Sequence, residues 1–243
     1  RNLDWIDLAF GHGLAKQEDF PEQLIHDFDW KQWRAQQDDA SLAIAGDAPA
    51  IERVKWALGQ APKTLPPAEQ PEFLTDAESS LMTHDRWTPR GVHRVPIHFG
   101  HGVRGNLYFK DGAPTPMPVV VWLHPLSYHS GYNEGYGVQG TTVYQRLAEN
   151  GFAVIAYDQC GFGLRLLEGR DFYKNHPRWS KLGRMVMDAR AAVSFAVEER
   201  GAAKSAIPEF DTKRVFLLGY SSGALTAMYA GALDDRVAGV ACF

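Results

Sequence analysis

Four short apolar runs, separated by helical stretches, limit what this chain can fold into more than any other feature. They are residues 118–123 (Pro-Val-Val-Val-Trp-Leu), 152–157 (Phe-Ala-Val-Ile-Ala-Tyr), 214–218 (Arg-Val-Phe-Leu-Leu) and 236–242 (Arg-Val-Ala-Gly-Val-Ala-Cys). A strand covered on both faces reads as such a run, whereas a half-solvated strand alternates. Residues 141–150 between them read as a helix ended by Gly151. Residues 181–200 carry Met185, Ala189, Ala192 and Ala196 along one helical face, and 222–233 form a helix of small residues. This alternation predicts an α/β fold: a mostly parallel sheet with right-handed crossovers and helices on both faces. Upstream, 92–99 and 104–109 are β-like runs around Gly100-His101-Gly102, which predicts a hairpin.

The rhythm changes near residue 90. Before it strand signals are scarce. Residues 21–37 and 47–58 read as helices, the second with Ile51, Val54 and Leu58 at helix-face spacing and Gly59 as a stop. Residues 63–71 hold three prolines and read as an extended linker. The expected division is a mainly helical N-terminal extension and linker over 1–90, followed by an α/β domain over 91–243.

Composition removes several function classes. The chain has 243 residues, 45% of them hydrophobic, and a formal net charge of −4 without a basic block. That balance gives no groove for nucleic acid. No apolar run approaches the ~20 residues that span a bilayer, so no membrane span is expected. The chain opens on Arg1, and its first 20 residues lack a basic segment leading into an apolar one. An exported protein with a processed start is compatible with that opening. Neither Cys160 nor Cys242 belongs to a C-x-x-C pair, so both are expected as buried free thiols rather than metal or redox groups.

The chemistry rests on Gly219-Tyr220-Ser221-Ser222-Gly223. G-x-S-x-G alone is common, but here it joins an apolar strand to a small-residue helix, the context in which it marks a nucleophile. Ser221 is the candidate nucleophile, held on a tight turn with its Oγ clear of the sheet. Gly219 and Gly223 are the expected structural elbow, leaving space where a Cβ would collide. At the helix start, the Ser222 N–H is a candidate oxyanion donor, favoured by the helix dipole. The loop after 118–123, His124-Pro125-Leu126-Ser127-Tyr128, is expected to supply the second donor. Pro125 has no N–H, so Leu126 is the candidate, with Ser127 next. His124 is read as shaping this turn, and His124, Tyr128 and Trp179 as residues of a substrate cleft. Asp158 is read as structural, and Asp188 as making a polar contact with an unnamed partner.

Residues 92–243 resemble the first two-thirds of an α/β-hydrolase domain, on the segments WLHPLSYHSGY, FAVIAYDQCGFG, RMVMDARAAVSFA and VFLLGYSSGALTAMYAG. The closest similarity is to the acetyl xylan esterase and dienelactone hydrolase branches. In that family the acid follows a later strand and the histidine follows the last one. No histidine follows Ser221 here; His176 is the last of nine. The resemblance therefore implies an incomplete α/β-hydrolase, its acid and base lying on a missing C-terminal part or on a second polypeptide. A recruited upstream histidine, His124 or His129, is the other route to a base.

The activity so implied is a serine esterase working through an acyl-enzyme on a small-molecule or carbohydrate ester, deacetylation included, with no cofactor or metal. The rivals are a serine peptidase of the prolyl oligopeptidase type and a non-catalytic α/β-hydrolase-like binding protein.

Overall fold

The computed structural model describes residues 44, 46–68, 89–127, 130–133, 141–198 and 207–243. The helix expected over 21–37 lies outside them. Six strands form one sheet: β1 (Val92–Phe99), β2 (Val103–Lys110), β3 (Met117–Leu123), β4 (Ala153–Tyr157), β5 (Phe210–Gly219) and β6 (Gly239–Cys242). Their spatial order is β1-β2-β4-β3-β5-β6. The β1–β2 hairpin is antiparallel and β2 runs antiparallel to β4, while β4, β3, β5 and β6 are mutually parallel.

Helices α1 (Ala50–Leu58), α2 (Val143–Glu149), α3 (Leu166–Arg170), α4 (Phe172–Asn175), α5 (Lys181–Val197) and α6 (Ser222–Ala232), with short 3-10 turns at Gly131–Asn133 and Gly163–Arg165, complete the described elements. The apolar runs are continuous because both faces of the central strands are covered. Successive side chains point to opposite faces, so Val119, Val121, Leu123, Ile155 and Leu217 pack with Val186, Ala189 and Val193 of α5 and Ala227 of α6. Val120, Trp122, Val154 and Ala156 face the other way, onto Tyr144 and Ala148 of α2. Helices thus lie on both faces of the sheet.

Caps fix where the helices begin. Ser180 accepts the Gly183 N–H at 2.8 Å to start α5, and its hydroxyl donates to the Leu58 carbonyl at 2.8 Å. The end of α1 is thereby tied to the start of α5. The Pro-rich stretch continues that attachment as far as it is described: Arg184 Nη1 donates to the Pro66 carbonyl at 2.9 Å and the Ala68 N–H to the His101 carbonyl at 2.7 Å.

Two strands differ from their apolar runs. β5 starts at Phe210 because Met117 pairs with Phe210 while Val119 pairs with Val215. The intervening bulge is held by the Asp211 carboxylate, which accepts from the Lys213 N–H at 3.0 Å and Arg214 Nε at 2.6 Å. β6 is shorter than 236–242 because Asp234 keeps Arg236 in a turn: it accepts the Arg236 N–H at 3.2 Å and Nε at 2.8 Å. β6 is also the sheet's edge among the described strands. Cys242 is accordingly exposed, a correction to the buried thiol expected there, while Cys160 is fully buried.

Candidate active site

β5 ends at Gly219 and α6 begins at Ser222, leaving Tyr220 and Ser221 to reverse the chain. Ser221 has φ 53° and ψ −116°, and is the one non-glycine residue with positive φ among the described residues. An L-residue there is strained by a cost of order 1–3 kcal/mol and persists only where its surroundings over-determine it. They do so from both sides. The Tyr220 N–H donates to the Leu123 carbonyl at the end of β3 (3.2 Å), and the Ser221 N–H to the Phe243 carbonyl beyond β6 (2.7 Å). The Ser221 carbonyl accepts the Ala224 N–H at 3.0 Å, opening α6. Ser221 itself is exposed.

Close backbone approach explains the flanking glycines. A Cβ on Gly223 would meet the carbonyl oxygens of Leu123 and of His124, the latter at 2.6 Å; one on Gly219 would meet the Gly223 carbonyl. Backbone cannot rotate out of the way as a side chain can. Gly223→Ala is therefore expected to cost about 3 kcal/mol of stability, read as a lower urea midpoint at unchanged m. A midpoint shift worth less than ~1 kcal/mol would show that β3 and α6 can part without penalty.

The loop after β3 lies beside this turn. His124 is fully buried, with Nδ1 2.7 Å from the Pro125 carbonyl and Nε2 accepting the Gln159 N–H at 3.0 Å. It packs edge-on to Phe162 at 5.4 Å between ring centroids. His124 thus faces no open cleft, and both its nitrogens are occupied, which corrects its placement as a cleft residue and removes it as a base for Ser221. Leu126 is 54% exposed and Ser127 is buried. The Oγ atoms of Ser127 and Ser222 are buried without a hydrogen-bond partner among the described residues. Tyr128 and His129 lie outside the described residues. Trp179 is buried among Phe172, Met185, Cys160 and Phe162, so it is a core residue and not a cleft wall.

Asp158 is structural in its contacts: its two oxygens accept the N–H groups of Tyr132 (2.9 Å) and Leu164 (2.8 Å). Burial nonetheless raises its pKa from 3.8 to about 6, outweighing those bonds and Arg165. Burial also lowers His124 from 6.5 to about 4. The two groups bias acid stability in opposite directions. Between pH 6.5 and 4 the unfolded chain protonates His124 and the folded chain does not, so acidification costs up to about 3 kcal/mol. Over pH 6 to 3.8 the folded chain holds the Asp158 proton and the unfolded chain does not, so acidification adds a similar amount. A His124→Asn chain should therefore gain about 3 kcal/mol relative to the wild type as the pH falls from 6.5 to 4. Urea unfolding across that range checks it, and parallel pH slopes would mean that His124 titrates normally.

Sequence reasoning missed the charged cluster behind the site. Asp188 pairs with Arg165 Nη1 at 2.8 Å and Arg184 Nε at 3.2 Å. Glu168 takes Arg165 through Nε (2.7 Å) and Nη2 (2.9 Å), and approaches Arg184 Nε at 3.2 Å. Arg165 Nη1 also donates to the Asp158 carbonyl at 3.0 Å. All four side chains are buried, two of each sign. The available signal was spacing: Arg184 and Asp188 are four apart on the same helix and flank its apolar face.

A sequence model for the family described as Serine aminopeptidase, S33 matches residues 119–243, more than half of the chain. The chain belongs to that family. It has the fold of the α/β-hydrolase superfamily, and the turn at Ser221 lies inside the matched segment. No curated protein sequence matches the chain. Among solved structures, the chain is similar to a putative acetyl xylan esterase from Bacteroides fragilis, with 12% identity over 82% of this chain and 62% of that one and a TM-score of 0.45. A dienelactone hydrolase-like promiscuous phosphotriesterase from metagenomic libraries is 21% identical over 63% and 59%, with a TM-score of 0.43. Bacterial heroin esterase is 20% identical over 68% and 47%, with a TM-score of 0.42. The chain spans 47% to 62% of the lengths of these three structures. No helix among the described residues is long and apolar enough to cross a membrane.

Proposed function

We propose that this hydrolase cleaves carboxylic esters with Ser221 as nucleophile. The observation that carries the reading is the strained conformation of Ser221 between β5 and α6, φ 53° in a non-glycine residue. A strained, exposed serine at the C-terminal end of a parallel strand is how an Oγ is presented to an acyl carbon. Ser221 Oγ attacks that carbon, and the tetrahedral oxyanion is held by the N–H groups of Ser222 and Leu126. The alcohol leaves with a proton from the base, and water then hydrolyses the acyl-enzyme.

His124 is engaged at both nitrogens, so in this reading the base is His129 or a histidine on further sequence or on a second polypeptide. A small acyl group on a sugar is the substrate class suggested by the sequence resemblance. The family's description favours a second reading, release of an N-terminal amino acid by the same serine.

The experiment is labelling of the natural protein with a fluorophosphonate, mapped to its peptide, together with rates on p-nitrophenyl acetate and on an aminoacyl p-nitroanilide. Label on Ser221 with ester turnover supports the esterase; turnover of the anilide alone selects the peptidase. No label on folded protein removes both and leaves a binding protein.

A further inference from the structure

The loop that would carry the second oxyanion donor is held by groups that the proposed mechanism does not use. Pro125 O can only accept, so the His124 nitrogen 2.7 Å from it, Nδ1, carries the proton. The Gln159 N–H can only donate, so Nε2, 3.0 Å away, is bare. One tautomer of a neutral imidazole satisfies both contacts. A third bond closes the ring: Gln159 Nε2 donates to the His124 carbonyl at 2.8 Å. His124 and Gln159 are both fully buried, so water does not compete.

This arrangement has a directional result. No cis bond falls at Pro125–Leu126, so that peptide is trans, and its N–H points opposite to its C=O. The Pro125 carbonyl is drawn inward to the His124 ring. The Leu126 N–H therefore points away from the ring, and Leu126 itself is exposed. Proline at 125 suits the arrangement, since it brings no N–H of its own and a fixed φ. The His124 backbone also lies against Gly223, whose Cβ would meet its carbonyl at 2.6 Å. The loop and the Ser221 turn are therefore in register.

We propose that Gln159 and His124 are a positioning pair: Gln159 fixes the imidazole tautomer, and the imidazole turns the Leu126 N–H outward to the oxyanion of the Ser221 reaction. The inference rests on the Ser221 reading. Neither residue touches substrate; each acts through the peptide it holds.

The test uses the natural protein and p-nitrophenyl acetate. Asparagine can place a donor amide where Nδ1 lies, whereas glutamine places it a bond further out. His124→Gln is expected to lower kcat about a hundredfold with KM little changed, the scale of losing one oxyanion donor. His124→Asn should retain kcat within about fivefold, and Gln159→Met should lose about tenfold in kcat. A nitrogen-detected NMR spectrum of the wild type at neutral pH should show the His124 proton on Nδ1. A proton on Nε2, equal losses in the Asn and Gln variants, or losses confined to KM would each overturn the pair. A wild type that takes no fluorophosphonate at Ser221 removes the Ser221 reading, and this inference with it. A labelled wild type with equal variants removes the inference alone.

Discussion

Ser221→Ala is expected to lower ester turnover by a factor on the order of 10⁴ or more while leaving the fold intact. Both halves follow from the turn. The oxygen proposed as nucleophile is the group deleted, and the Ser221 side chain makes no capping bond whose loss would loosen α6. Urea midpoints of the two proteins should agree within about 0.5 kcal/mol. Ser221→Gly separates strain from chemistry. Glycine adopts φ 53° without the clash that a Cβ brings, so this variant should be equally inactive yet more stable by about 1 kcal/mol. A stability gain with loss of activity is what a strained catalytic residue predicts. Residual turnover above a few per cent in either variant would mean that another residue attacks the ester. A Gly variant less stable than the wild type would mean that Ser221 is not strained.

Asp188→Ala should be among the most destabilising single changes, costing about 3–5 kcal/mol. Arg165 and Arg184 are both buried, and Asp188 with Glu168 balances them. Burial alone would lower the Arg165 pKa, but Asp188 and Glu168 override it, so the guanidinium keeps its charge. Removing Asp188 therefore leaves a buried positive charge without compensation, rather than merely a lost contact. A double variant, Asp188→Ala with Arg165→Met, should recover part of the loss, because it deletes both signs. Denaturant unfolding of the three variants decides the matter. If the single change costs under ~1 kcal/mol, or the double costs the sum of the singles, the four side chains do not act as one unit.

The fold was legible where a residue's setting repeats along the chain. The apolar runs at 118–123 and 152–157 announced fully covered strands, because residues on both faces meet helices. Met185, Ala189, Ala192 and Ala196 announced the buried face of α5 for the same reason, and all four are buried. The turn at Ser221 was legible because its glycines answer a local steric need. What escaped depends on partners far apart in sequence. Nothing near Trp179 says that it packs under α5 instead of lining a cleft, since an aromatic suits either place. His124 belongs to a motif loop, yet its engagement is set by Gln159 on the next strand's end. Asp188 read as making a polar contact, but its partner Arg165 could not be named until the turn after β4 and α5 bring the two to 2.8 Å. The start of β5 was missed because its bulge breaks the apolar run with Asp211 and Arg214.

The bond from the Ser221 N–H to the Phe243 carbonyl bears on how far the pentapeptide can be transplanted. That acceptor lies 22 residues downstream and comes into place only when β6 has paired with β5. The other anchor, the Leu123 carbonyl, belongs to a strand almost a hundred residues upstream. Gly-Tyr-Ser-Ser-Gly cut out as a peptide, or grafted onto a strand without neighbours on both sides, would relax to an ordinary turn and lose its poise. The strained geometry of Ser221 is a property of three adjoining strands, and the five letters only permit it.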